Sequence, residues 1–174
     1  MLRRQHRLAC ALLALMTFVA PALAHGQAGI PEPTGPDFEA ILTADAKVIP
    51  AIKGALKDGR AFAEPAAFGD LTADGTSDAV VLVSTPGAAG AVAAYVLSAD
   101  GARGGKLRVI YRSQSLYRAV VRAGRGALVV ITPDYARGDD VCCPAARLER
   151  TYVYDRRAKL FRRTASRRLV RAAG

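Results

Sequence analysis

Apolar residues recur at two different periods along this chain, and the change of period divides it. From Asp37 to Asp58, Phe38, Ile41, Leu42, Val48, Ile49, Ile52, Ala55 and Leu56 return every three or four residues, the spacing of one helix face. The spacing predicts a short helical turn followed by a helix that ends at Asp58-Gly59. Pro50 fits only in a first turn, where the donor it lacks has no intrahelical partner, and a break near Thr43 to Asp45 is a candidate N-cap for the second segment.

After Gly59 the pattern changes to short apolar or alternating runs separated by Gly, Asp and Pro. Eight strands are expected: Ala61 to Phe68, Asp78 to Ser84, Ala91 to Ser98, Lys106 to Ser113, Leu116 to Ala123, Ala127 to Thr132, Leu148 to Asp155 and Leu160 to Thr164. Ser98-Ala-Asp-Gly101 and Ala123-Gly-Arg-Gly126 have turn chemistry, and Asp155 to Lys159 suits a tight turn. Short connections favour antiparallel neighbours over parallel units, which need crossover helices. The expected fold is α+β, an N-terminal helix packed on one curved antiparallel β-meander sheet.

The first 24 residues are of another kind. Arg3, Arg4 and Arg7 precede an uncharged run from Leu8 to Ala20, and Ala22-Leu23-Ala24 supplies an A-x-A end. This is the form of a secretory signal peptide with cleavage near Ala24, since the apolar run is shorter than the roughly 18 to 20 residues of a spanning helix. Cys10 lies at the start of the apolar run, just after Arg7, Leu8 and Ala9, the wrong place for a lipid-modified cysteine. The expected organisation is a signal peptide over 1–24, a flexible leader over 25–36, a single α+β domain over 37–165 and a basic C-terminal arm over 166–174. The protein is expected to be exported, periplasmic or secreted, with no transmembrane segment in the mature chain.

Charge is unevenly spread. The chain has 25 Lys and Arg against 15 Asp and Glu, yet residues 25–146 hold twelve basic and thirteen acidic residues. From Arg147 onward, ten basic residues face only Glu149 and Asp155. A near-neutral body with a basic end points to an anionic envelope component met through the C-terminal segment, or to the solvent face of a final hairpin, and away from a uniformly basic nucleic-acid binder. A single-strand platform would need Tyr152, Tyr154 and Phe161 exposed together on one face.

Within FGDLTADGTSDAVVLVS, Asp70, Asp74 and Asp78 occupy positions 1, 5 and 9 of a loop whose sixth residue is Gly75. Asp70, Thr72, Asp74, the carbonyl of Thr76 and Asp78 form an oxygen set that a hard cation such as calcium takes; the same residues also describe an Asp-Gly turn whose carboxylates cap amides. An EF-hand is excluded, because Val81 stands where its bidentate glutamate belongs. The stretch resembles the calcium-binding loop of FG-GAP repeats, D-x-[DN]-x-D-G-x-x-D before a hydrophobic strand. It departs at Thr72 and in occurring once, so the resemblance does not extend to a propeller. Calcium is the one candidate cofactor.

The mature chain keeps two adjacent cysteines, Cys142 and Cys143, in GDDVCCPAA. Export favours their oxidation, and a vicinal disulfide, an intermolecular bridge or two thiols are all open. Together with GDLTADGTSD and RTYVY, the CCP motif is similar to a pattern found in small exported bacterial proteins, which implies the compartment and carries no activity. His25 is the only histidine after the signal segment, so a histidine triad or zinc site has no ligands. Nor is there a P-loop, a G-x-S-x-G or a dinucleotide fingerprint. The leading expectation is a non-enzymatic binding domain. The alternative is a carboxylate-based hydrolase or a redox-responsive protein built on Asp139 to Cys143, with Asp134, Asp140 and Tyr135 nearby.

Overall fold

The structure, a computed structural model, describes residues 35–99, 106–124 and 126–170. Residues 1–24, where a signal peptide was expected, most of the expected leader and the last four residues lie outside the described residues. Two short helices, α1 (Gly35–Ala44) and α2 (Pro50–Lys57), precede eight strands: β1 (Phe62–Gly69), β2 (Asp78–Thr85), β3 (Gly90–Ala99), β4 (Leu107–Gln114), β5 (Val120–Gly124), β6 (Ala127–Asp134), β7 (Ala146–Asp155) and β8 (Leu160–Val170). No helix among the described residues is long and apolar enough to cross a membrane.

The strands form two four-stranded antiparallel sheets, ordered β1-β2-β3-β4 and β5-β6-β7-β8. The expectation of an α+β fold with a helix on one curved sheet is therefore wrong: the fold is mostly β, and the meander is cut in half. The cut falls in Gln114-Ser-Leu-Tyr-Arg-Ala119. Ser115 and Arg118 both adopt left-handed backbone, φ 64° and 48°, which ends the extended path of β4. The amides of Leu116, Arg118 and Ala119 then donate to the carbonyls of Val92, Ala89 and Ala91. The chain crosses the end of β3 instead of pairing with β4, and β5 starts at Val120, four residues later than its apolar pattern suggested.

Each face of the first sheet has its own core. Ala79, Val81, Val83, Ala93, Tyr95, Leu97 and Val109 pack under Phe38, Leu42, Ile52 and Leu56 of the helices. Val80, Ala94, Val96 and Tyr111 face Val121, Leu128 and Val130 of the second sheet, with Tyr152 and Phe161 at the margin. A strand buried on both sides needs apolar residues throughout, which is why Ala79 to Val83 is continuous rather than alternating. Phe38 and Leu42 are fully buried, and each such side chain contributes about 1.5–3 kcal/mol by leaving water. Tyr152 and Phe161 of the basic segment thus pack, partly buried, against this inter-sheet core. Tyr111 meets Tyr152 and Phe161 at ring-centre distances of 5.1 and 5.4 Å.

Pro50 stands in the first turn of α2, Asp58 is its C-cap, and Gly59 follows with φ 67°. The N-cap is Ile49, without a side-chain bond; Asp45 instead accepts from the Lys47 amide at 2.7 Å and pairs with Arg112, tying the helices to β4. At the other end β8 continues through Val170, so Ser166 to Val170 pair with β7 where a loose arm was expected. Arg162, Arg167 and Arg168 engage Asp155, Glu149 and Asp134.

Candidate functional site

The acidic loop folds onto itself. Asp70 accepts from the amides of Asp74 at 3.1 Å and Gly75 at 3.0 Å. Asp74 accepts from the amide and the hydroxyl of Thr76. Asp78, wholly buried, accepts from the amides of Leu71 at 2.8 Å and Thr72 at 2.9 Å. Gly75 takes the left-handed turn, φ 86°. Each carboxylate is thus aimed at backbone donors, the pattern of a capped Asx turn. Among the described residues no group of three acidic, Cys or His side chains gathers so as to hold a metal ion. Asp70 and Asp74 are brought together through the Asp74 amide, while Asp78 lies beneath them in the core.

Burial pushes the Asp78 carboxyl up from its ordinary range, against the Ser98 hydroxyl and the Thr72 and Leu71 amides, which favour the ionised form. Burial also acts to raise Asp74, but the Thr76 hydroxyl and amide, the nearby Thr72 hydroxyl and the charge of Arg156 prevail and hold it low.

The second group of expected residues forms a corner between β6 and β7. Asp139 accepts from the amides of Ala136 and Ala145, both at 2.7 Å, which keeps its carboxyl low and closes the loop across its base. Arg118 donates to the carbonyl of Val141 and to the Tyr135 hydroxyl, and Tyr135 donates to the same carbonyl at 2.7 Å. The corner is therefore clamped from β5's approach, with the Cys143 amide on the Asp140 carbonyl at 2.9 Å. Cys142 and Cys143 hold their sulfurs side by side, as a vicinal disulfide requires. Asp134 is paired with Arg168, and Asp139 is used as a cap.

Two cavities flank this corner. One, of about 440 Å³, lies between the β2–β3 turn at Gly87 and Ala88, Val120, Ile131 and Tyr135. The other, of about 500 Å³, lies against Cys143, Ala146, Leu169 and Val170. Cys142, Pro144 and Arg147 belong to both. Arg147 is exposed, and its side chain has no ion-pair or hydrogen-bond partner among the described residues. Comparison with protein-family models, curated proteins and solved structures finds no match for the chain. Arg118 and Arg147 were not singled out from the sequence. Arg147 carried no signal beyond opening the basic run, and Arg118 lies in a stretch read as strand.

Proposed function

We propose that this chain is an exported, periplasmic or secreted, non-enzymatic domain that binds an anionic amphiphile of the cell envelope at the cysteine corner. The observation that carries the reading is Arg147, an unpaired guanidinium on the wall shared by two cavities. A guanidinium binds carboxylate or phosphate oxygens through a planar fork, and Val120, Ile131 and Pro133 offer an apolar body surface beside it. The Asp139 caps, the Arg118 clamp and a vicinal disulfide fix the loop before any ligand arrives, which lowers the ordering cost of binding.

The test is calorimetric titration of the exported protein with octanoate, with octanol as the uncharged control, in wild type and Arg147→Gln. Octanoate should bind saturably, and the variant should lose about tenfold, the scale of one charge-assisted hydrogen bond. Equal affinities for octanoate and octanol, or an unchanged Arg147→Gln, would remove the proposal.

A further inference from the structure

The layers of the fold run from the two helices through the first sheet to the second. No helix or strand among the described residues is left to cover the far face of the second sheet. Val121, Leu128, Val130, Tyr152 and Phe161 face the inter-sheet core. By the two-residue alternation of a strand, Val120, Arg122, Val129, Val153 and Leu160 stand on the uncovered side. A solvated sheet face ordinarily carries polar residues at its outward positions. Here Val120, Val153 and Leu160 are 50, 40 and 43% exposed, and Val129, paired between Arg122 and Thr151 in the ladder, is half-buried.

We infer that this face lies on the surface of an anionic lipid bilayer. Charge selects the occupant. The acids on the face are engaged, Glu149 by Arg167 and Asp155 by Arg162. Arg122 and Arg147 are exposed, and their side chains have no ion-pair or hydrogen-bond partner among the described residues. Their guanidinium groups flank an aliphatic stripe, and their apolar stems let the charged heads reach lipid phosphates while the valines and Leu160 meet the interface. A second copy of the chain is disfavoured, because two such faces would bring like charges together. A protein partner is disfavoured by what the face lacks. Tyr152, Tyr154 and Phe161 cluster on the other side of the sheet, which leaves no aromatic anchor of the kind protein interfaces are built around. A bilayer needs no matching pocket, only aliphatic surface and positive charge. An envelope location, as proposed above, brings such a surface within reach, and no ligand at the corner is required.

Co-sedimentation with vesicles tests this. The protein should bind phosphatidylcholine vesicles carrying phosphatidylglycerol in preference to phosphatidylcholine alone, and the preference should shrink as salt is raised. Arg122→Gln should weaken binding roughly fivefold, the contribution of one arginine at an anionic surface. Arg122→Lys should bind as wild type does, because a bilayer surface reads charge rather than a planar fork. Val153→Asp should weaken binding at least fivefold with its thermal melt unchanged, which separates loss of the face from misfolding. Lys57→Gln, exposed on α2 at the other end of the layers, should change nothing. Binding that is indifferent to phosphatidylglycerol, that survives Arg122→Gln, or that falls equally in Lys57→Gln overturns the inference. So does capture by soluble polyglutamate as tight as by the vesicles, which would assign an acidic polymer instead. Arg122 and Val153 line neither corner cavity, so their variants should bind octanoate as wild type does. A failed vesicle test leaves the octanoate result untouched, and the reverse holds as well.

Discussion

Replacing Asp78 separates its two properties, acceptor and charge. Asp78→Ala removes the acceptor for two buried amides, those of Leu71 and Thr72. An orphaned buried donor costs about 1–3 kcal/mol. The Leu71 amide keeps a second contact to the Gly69 carbonyl at 2.9 Å, so the net loss should be about 2–4 kcal/mol, roughly 5–15 °C in melting temperature for a domain of this size. Asp78→Asn retains an acceptor oxygen and removes a charge that burial disfavours, so it should stay within about 1 kcal/mol of wild type. The pH dependence carries the sign. The folded carboxyl is raised above its unfolded value near about 3.9, so its contribution to stability is present at low pH and lost as pH rises through the folded value. Wild type should therefore lose ground to Asp78→Asn as pH rises above about 4. Thermal and urea melts of the three proteins from pH 3.5 to 7 measure this, with calcium added at neutral pH as a further arm. If Asp78→Asn proves as damaging as Asp78→Ala, or if millimolar calcium raises the wild-type melt and not that of Asp78→Asn, the capped-turn account fails.

Three other outcomes follow from the packing. Asp45, held low by Arg112 and the Lys47 amide against the opposing effect of burial, contributes stability that is lost as pH falls through its lowered folded value; Asp45→Asn should flatten the acid limb of a pH-melting curve below about pH 4. Ser115→Gly should raise the melting temperature slightly, because a left-handed residue with a side chain costs about 1–2 kcal/mol, whereas Ser115→Val should lower it; equal melts would detach the sheet break from that residue. In protein expressed from the full sequence in a secreting host, intact mass after alkylation without reductant should show Cys142 and Cys143 unmodified and a chain that begins at His25; alkylation of both thiols would end the disulfide reading, and a retained Met1 would end the signal-peptide reading.

Local order was legible because local rules wrote it. The eight strands, the Pro50 entry into α2 and the Gly59 exit each follow from period, turn residues or backbone restriction over a few positions. The division into two sheets was not legible. It depends on Ser115 and Arg118 adopting left-handed backbone in a stretch without Gly, Asn or Pro, and tertiary contacts with Ala89, Ala91 and Val92 impose that conformation. The acidic loop was located correctly, but the same spacing serves a cation cage and an amide cap. Only the direction of the carboxylates, Asp78 inward and Asp70 onto the Asp74 and Gly75 amides, separates the two. The cavity residues were hidden for another reason. Arg147 is indistinguishable within a basic run, and its cavity neighbours Gly87 and Val120 come from distant parts of the chain.

The claim at the centre is that the cysteine corner is a preformed binding cleft whose charge handle is Arg147. Amide proton-nitrogen spectra of the protein titrated with octanoate test it most directly. The account predicts saturable shifts clustered at Gly87 to Ala91, Arg118 to Val120, Ile131 to Tyr135 and Val141 to Arg147, which need about tenfold more octanoate to saturate in Arg147→Gln. Shifts centred elsewhere, or the same shifts saturating at the same octanoate concentration in that variant, would contradict it.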